Sequence, residues 1–437
     1  MHEHADRPLL VLVASGRQEY REDALASIAR RFRVHLIEGA EPTWQRPYLD
    51  SYDVVPGFEE TTLIPLGQRL AGQRTVAGVV CWDEARILPA TVLADTLGLP
   101  SAGTEAVRCC RDKYATRKRL AEHGAPQPRF ALVSDVDGAR EAARRIGYPL
   151  VLKPRSAAAS LGVVRVEGEQ ELNEQFTFAS GASISGAPQH QDPVLLEEFV
   201  GGAEVSVDSL VEDGAATPLF VARKSVGFAP FFEETGHEVS SHDPLLDDPE
   251  FTQVIKKIHH ALDFGWGWTH VEMKLTERGP VLVEVNARIG GDLIPRLAYL
   301  AHGIDAADLV ADAVRGIRQP LPQPTPTARR PVVAASRFLY PDQDDVVVES
   351  VAFDETALPA GIDRAVVLTE PGAHLRLPPE GLFSGRAALI SVTAEDSRSA
   401  HEVLDIASDA LRLHVSDRKG RSAESPLPNT SSKECAH

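Results

Sequence analysis

Six polar side chains crowd one short stretch of the chain: His270, Glu272, Lys274, Glu284, Asn286 and Arg288. They lie in Trp268-Thr-His-Val-Glu-Met-Lys-Leu-Thr and Pro280-Val-Leu-Val-Glu-Val-Asn-Ala-Arg288, separated by Glu277-Arg278-Gly279. Polar and apolar residues alternate, the period of a strand with one buried face, and the glycine-containing insert predicts a hairpin with a three-residue loop. Pairing about Arg278 sets Glu272 opposite Glu284 and His270 opposite Asn286. All six polar residues then share a face, with Val271, Met273, Leu275, Val281, Val283 and Val285 on the other. Facing carboxylates repel unless a cation lies between them. Magnesium suits that place because it takes hard oxygen ligands, few of them from protein, and leaves room for phosphate oxygens and water. A solvated face with Lys274 and Arg288 as ordinary ion-pair partners is the other reading of the hairpin taken alone.

Two further segments could hold a nucleotide. Lys153 ends an apolar run and is followed by Pro-Arg-Ser-Ala-Ala-Ala-Ser160-Leu-Gly162, where small side chains let backbone N–H groups approach phosphate oxygens while the ammonium neutralises them. Alone, the same loop reads equally well as a flexible turn. In Leu195-Leu-Glu-Glu-Phe-Val200-Gly-Gly-Ala-Glu204, a strand interrupted by Glu197 and Glu198 presents backbone groups to an adenine edge. Glu204, past the glycine turn, could accept from ribose hydroxyls; a solvated strand end is the plainer alternative.

These segments need elements to hold them. Residues 9–100 alternate short apolar runs (Leu9 to Ala14, Val34 to Ile37, Val76 to Cys81) with helical patterns such as Glu22 to Arg31, predicting a parallel, Rossmann-like α/β layer. Its first turn, Ala14-Ser15-Gly16, lacks the Gly-x-Gly-x-x-Gly of a dinucleotide site. A helix at Lys113 to His123 and strands at Phe130 to Val133, Pro149 to Lys153 and Leu161 to Val166 predict a small α+β lobe, followed by a larger one to about Ile317. Arg318 to Pro331 holds five prolines in fourteen residues, a stiff linker and a domain boundary. Beyond it, residues 332–415 predict four strands and a helix from Ser399 to Leu413, ending in a polar tail.

At 437 residues the chain exceeds what one core supports, so several domains are expected. Acidic residues outnumber basic ones 63 to 45, for a net charge of -18, which argues against nucleic acid and anionic membranes as partners. The four cysteines, Cys81, Cys109, Cys110 and Cys435, have neither disulfide-framework nor zinc spacing, which fits a reduced, cytoplasmic protein. The first apolar run lacks a basic leader and cleavage site, and so reads as a buried strand.

Taken in order, the motifs resemble the ATP-grasp superfamily over about residues 9–317. The resemblance implies an ATP-grasp fold, α/β and α+β in several domains. It sets a Rossmann-like (pre-ATP-grasp) domain at 1–108, a small lobe at 109–192, a large lobe with the metal site at 193–318, a small C-terminal α+β domain at 332–415 and a disordered tail at 416–437. It implies that Lys113, which follows Asp112 at a helix start, and Lys153 bind ATP phosphates, with Ala159, Ser160 and Gly162 in the phosphate loop. Glu197, Glu198, Phe199 and Val200 would line adenine, Glu204 would hold ribose, and Glu272, Glu284 and Asn286 would hold Mg2+, with Mn2+ as a substitute.

Within the superfamily the chain is similar to bacterial L-amino-acid ligases, which make dipeptides. Thr269-His-Val-Glu-Met-Lys-Leu275 resembles their Thr-His-x-Glu-x-Lys-Leu strand, and Phe231-Phe-Glu-Glu-Thr-Gly-His237 their Glu-x-Gly-His segment. Glu84, with Pro89 and Leu97-Gly-Leu after it, resembles a substrate-facing glutamate. The resemblance makes Arg288 and His237 catalytic, and Glu84, Glu234, His237, His270, Arg288 and Gly291 substrate-binding; Glu84 and Glu234 would take an ammonium group. Glu84 as a helix cap and His237 as a loop histidine are the plainer alternatives. Two departures fall near the substrate: Ser240 stands where relatives carry proline, and Asp292 follows Gly290-Gly291 where some carry a bulky residue. The implied reaction joins a carboxylate to an amine through an acyl phosphate, with small-molecule substrates and a homodimer left open. A carrier-protein or specialised-metabolite acceptor, and a non-catalytic nucleotide-binding protein, are the competing readings.

Overall fold

The computed structural model describes residues 7–183, 194–320 and 332–417. Its first layer is β1 (Leu9–Val13), α1 (Gln18–Arg31), β2 (Arg33–Glu38), β3 (Ser51–Val54), α2 (Glu60–Gln73) and β4 (Val76–Val80), followed by α3 (Ile87–Thr96) and α4 (Thr104–Arg111). The strands run parallel in the order β3-β2-β1-β4, the expected Rossmann-like sheet. Every residue of Leu-Leu-Val-Leu-Val in β1 is buried, because a parallel strand covered on both faces has no solvent side to alternate toward.

The second layer opens with α5 (Lys113–Glu122). Its cap, Asp112, accepts from the N–H groups of Tyr114 and Ala115 and is held by Arg155 at 2.6 Å, which fixes Lys113 in the first turn. Then come β5 (Phe130–Val133), α6 (Val136–Ile146), β6 (Leu150–Pro154), β7 (Val164–Val166), α7 (Glu169–Gly181) and β8 (Val194–Glu198), an antiparallel sheet ordered β5-β8-β6-β7. Ala139, Ala142 and Ile146 of α6 and Leu172 and Phe176 of α7 bury against its strands. The strand expected from Leu161 starts only at Val164, since Ser160 and Gly162 take left-handed backbone that no strand accommodates.

The third layer contains β9 (Ala203–Glu212), β10 (Ala215–Gly227), β11 (Glu233–Ser240), α8 (Pro249–Leu262), β12 (Gly267–Thr276), β13 (Gly279–Asn286), α9 (Ile294–His302) and α10 (Ala306–Ala313). After the proline-rich stretch, of which 321–331 lie outside the described residues, follow β14 (Val333–Leu339), β15 (Val346–Phe353), β16 (Ile362–Val367), β17 (His374–Leu375), β18 (Ala388–Ala394), α11 (Ser397–Asp409) and β19 (Leu411–Asp417). The region after 331 thus carries six strands where four were expected, and it does not stand apart. β14, β18 and β16 extend the large sheet, ordered β13-β12-β9-β10-β11-β14-β18-β16, because β14 pairs directly with β11. The expected helix to Leu413 stops at Asp409. Leu411-Arg-Leu-His-Val alternates with period two and pairs with β15, and Ser416 and Asp417, assigned to the tail, belong to that strand. The rest of the tail, 418–437, lies outside the described residues.

One apolar core joins the first and third layers. Val11 and Val13 of the first sheet, Val107 of α4, Phe251 and Ile255 of α8, and Val207, Val271 and Met273 of the large sheet belong to a single buried cluster. The apolar face of β12 is thereby anchored on the rest of the molecule, and its polar face turns toward the β5–β8 sheet. Among the described residues, no helix is long and apolar enough to cross a membrane.

Candidate active site

β12 and β13 pair with His270 opposite Asn286 and Glu272 opposite Glu284, the expected register. Past Glu272 it shifts by one, so Met273 faces Leu282 and Thr276 faces Gly279. The turn therefore has two residues, Glu277 and Arg278, instead of three, and Val283 is the extra residue of a β-bulge. Val283 leaves the apolar face on which it was expected and lines the pocket, while Leu282 joins the core. The bulge also presents the Val283 carbonyl to Arg117, whose Nη2 donates to it at 2.6 Å.

A cavity of ≈ 280 Å³ lies between this polar face and the β5–β8 sheet. At one end are Lys113, Lys153, Ala159, Ser160, Glu197, Glu198, Phe199, Val200 and Glu204, all expected to meet the nucleotide. Ala159 and Ser160 are left-handed, with φ of 53° and 54°, and Ser160 Oγ donates to the Phe232 carbonyl at 2.7 Å. Consecutive residues of this kind persist only where the surroundings impose them. Gly162 does not line the cavity. Its φ of 73° closes the turn, and a Cβ there would meet Ala182 Cβ at 2.3 Å.

Lys153 Nζ sits 2.6 Å from Glu197, whose other partner is Arg117 at 2.6 Å; all three are buried. Burial lowers the Lys153 ammonium to about 8 despite the opposing pull of Glu197. The Glu197 side chain is therefore spent on two buried cations, Lys153 and Arg117. The N–H groups of Glu198 and Phe199 donate to the carbonyls of Arg129 and Pro149, at 2.9 and 3.0 Å.

Lys113 Nζ reaches Glu284 at 2.9 Å and Lys274 reaches Glu204 at 2.9 Å, linking that end to the hairpin. His270 Nδ1 pairs at 2.7 Å with Asp208, which also accepts from Trp268 Nε1 and the Gly290 N–H. Burial would lower the His270 imidazole, but Asp208 holds it up at about 9, so the ring is a cation at neutral pH. Burial would raise Glu272, but Lys224 pulls it down to about 2. Glu272, Glu284 and Asn286 thus offer hard oxygen donors, one carboxylate firmly ionised, on a single wall; that donor set fits a divalent cation of the magnesium kind.

At the far end, Glu84 is gripped by two guanidinium groups, Arg111 on one oxygen and Arg288 on the other, each at 2.6 Å. Burial would raise its carboxyl, yet the two arginines hold it below the usual range. Glu84 therefore orients Arg288 and carries no uncompensated charge toward a ligand. Glu234 and Gly291 line the cavity, but His237 does not: it lies behind Glu234, its Nε2 donating to Oε2 at 2.7 Å, with its ring T-shaped to that of Phe338. Asp292, left-handed at φ 46°, pairs with Arg386 at 2.7 Å. Arg386 comes from the segment after the linker. It also meets Glu233 and the Tyr340 hydroxyl, at 3.2 Å each, and stacks on Phe338.

Sequence reasoning missed Arg117, Lys224, Arg386 and Asp208. Lys224 had a visible signal: it is a lysine within the otherwise strand-like Leu219-Phe-Val-Ala-Arg-Lys-Ser-Val226. The other three become partners only through contacts between residues far apart in the chain, 80 for Arg117 and Glu197, 153 for Arg386 and Glu233, and 62 for Asp208 and His270.

The model of the ATP-grasp domain family matches residues 146–296. A D-alanine–D-alanine ligase of Syntrophotalea carbinolica is 32% identical over 267 residues, covering 59% of this chain and 78% of that protein. An alanine–anticapsin ligase of Bacillus subtilis is 26% identical over 75% of this chain and 70% of its own length. The crystal structure of an L-amino acid ligase from Bacillus licheniformis superposes with a TM-score of 0.75 at 21% identity, covering 93% of this chain and 98% of that one. By its match to the ATP-grasp domain and its likeness to these ligases, the chain belongs to the ATP-grasp carboxylate–amine ligases.

Proposed function

We propose that this ligase activates the carboxylate of an L-amino acid with ATP and passes the acyl group to an amine. The carboxylate oxygen attacks the γ-phosphorus, the bond to the β-phosphate oxygen breaks, and ADP leaves. The amine nitrogen then attacks the acyl carbon, phosphate leaves with the C–O electron pair, and the amine gives up a proton. Phosphoryl transfer asks a protein for positioning and charge neutralisation more than for covalent help, and this cavity is built for both. Lys113, Lys153 and the amides around Ala159 and Ser160 hold the phosphates, the Glu197–Val200 segment takes adenine, and Glu204 takes ribose. Glu272, Glu284 and Asn286 would hold magnesium, or manganese in its place, and the ion would supply charge neutralisation for phosphoryl transfer.

Arg288, fixed by Glu84, faces the transferred phosphoryl group and the oxyanion of the tetrahedral intermediate. Glu234, set by His237, stands near the donor's ammonium, and the cationic His270, held by Asp208, lines the same cavity. The observation that carries this reading is the convergence of Lys113, Lys153, Glu272, Glu284 and Arg288 on one cavity. The units at 1–108, 109–192 and 193–318 remain the proposed working division, with the segment 332–417 continuing the large sheet and lending Arg386 to the pocket. A cytoplasmic location accords with the buried free thiols of Cys81, Cys109 and Cys110.

The test is phosphate release from ATP and Mg2+ across the twenty amino acids, singly and in pairs, with mass spectrometry of the products. Pair-dependent release, ADP as the nucleotide product and a mass one water below the summed substrates are expected. AMP formation would refute the acyl-phosphate route. Tight ATP binding without turnover would replace the amino-acid acceptor with a carrier-bound or specialised amine.

A further inference from the structure

Lys224 lies in β10, opposite His237 of β11, and its side chain is wholly buried. Its Nζ is 2.6 Å from Glu234, 3.0 Å from Glu272 and 3.6 Å from Glu204. These carboxylates come from three different strands, and each can offer an oxygen within 4.8 Å of those of the other two. Three carboxylates this close are tolerable only around a cation, and their oxygens are the hard donors a divalent ion takes. The structure gives that place to an ammonium tethered to the backbone.

We propose that Lys224 is a positioning residue whose ammonium fills a cation site formed by Glu204, Glu234 and Glu272, excluding a divalent ion from it and confining the metal to the Glu272–Glu284–Asn286 wall. This rests on the reading of Glu272 as a metal ligand. The same ammonium shares Glu272 with the metal and Glu234 with the donor. It therefore ties the ribose, metal and donor ends of the cavity through one charge, and a change at Glu234 is felt at the metal, as linkage requires. A lysine does this better than a second ion because it cannot dissociate, nor drift toward the donor's ammonium seat.

The experiment counts Mn2+ bound to the full chain with saturating ADP, by electron paramagnetic resonance of free Mn2+. Lys224→Met is expected to bind one Mn2+ more than the wild type, and the double variant Lys224→Met, Glu234→Gln to return to the wild-type count. An unchanged count in folded Lys224→Met overturns the proposal. Should Lys224→Met fail to fold, Glu234→Gln alone decides. With its partner gone, Lys224 leans on Glu272 and competes with the metal, so Mn2+ affinity is expected to fall by about 5-fold or more; unchanged affinity overturns the proposal. Glu272→Gln serves as the reference: if it binds Mn2+ like the wild type, the metal assignment itself fails, a result distinct from an unchanged count in Lys224→Met.

Discussion

The Lys153 ammonium is the group whose behaviour follows most directly from its surroundings. It is buried, 2.6 Å from Glu197, and burial brings it from an ordinary 10.5 to about 8. If only the charged form binds the phosphates, the apparent Kd for nucleotide scales as one plus ten raised to pH minus pKa. The lysine is about nine-tenths charged at pH 7 and about one-tenth charged at pH 9, so affinity should fall about 10-fold between them. ATP and ADP phosphates are already ionised across that range, since the second ionisation of a phosphate group lies near about 6. Calorimetric titration of ADP with Mg2+ from pH 7 to 9.5 reads this without the amine substrate, whose own titration would confuse a rate assay. A log–log plot should be flat below about 8 and approach unit slope above it. Lys153→Met should bind more weakly at pH 7 and without that slope. A flat wild-type profile, or the same slope in the variant, would refute the reasoning. The sign for folding is separate. The folded pKa lies below the unfolded value, so the unfolded chain holds more protons between about 8 and 10.5, and this group's destabilising effect declines as pH rises through that window.

Other expectations can be checked with single variants. Arg117→Met removes a buried partner of Glu197 and should destabilise the fold by about 3–5 kcal/mol in urea titration; a loss below about 1 kcal/mol would show the triad to be unimportant for stability. Arg288→Met should lower kcat by about 10²–10³-fold while leaving ADP affinity within about 3-fold, and a loss confined to ADP binding would contradict its place at the reacting carboxylate. Gly202→Ala puts a Cβ 2.1 Å from the Leu275 carbonyl oxygen at φ 112°, so a loss of about 1–3 kcal/mol or more is expected, and an unchanged melting temperature would refute it.

Strand and helix identity, and most of the cavity wall, follow from local pattern. The period-two alternation of 268–288 sets which side chains share a face, because a one-residue slip would put charges into the core; the observed pairing of His270 with Asn286 and Glu272 with Glu284 is the result. Lys153 and the small residues to Ser160 are likewise legible, since both the strand that delivers the lysine and the steric need of the turn are local. The bulge at Val283 is not. It depends on how β13 meets Arg117 from α5, a contact 166 residues away that no periodicity encodes. The same holds for the charges that determine how the site works. Arg117 lies on a helix, Lys-Tyr-Ala-Thr-Arg-Lys-Arg-Leu-Ala-Glu, with no apolar stripe to reveal its inward face, and Arg386 belongs to a segment expected to fold apart. Sequence alone determined which residue types could hold ATP and a metal, because that chemistry is written in side chains. Only the tertiary structure decided which carboxylates are already paired, Glu84 with two arginines and Glu234 with Lys224, because a charge is compensated by whatever lies within a few ångströms, however far along the chain.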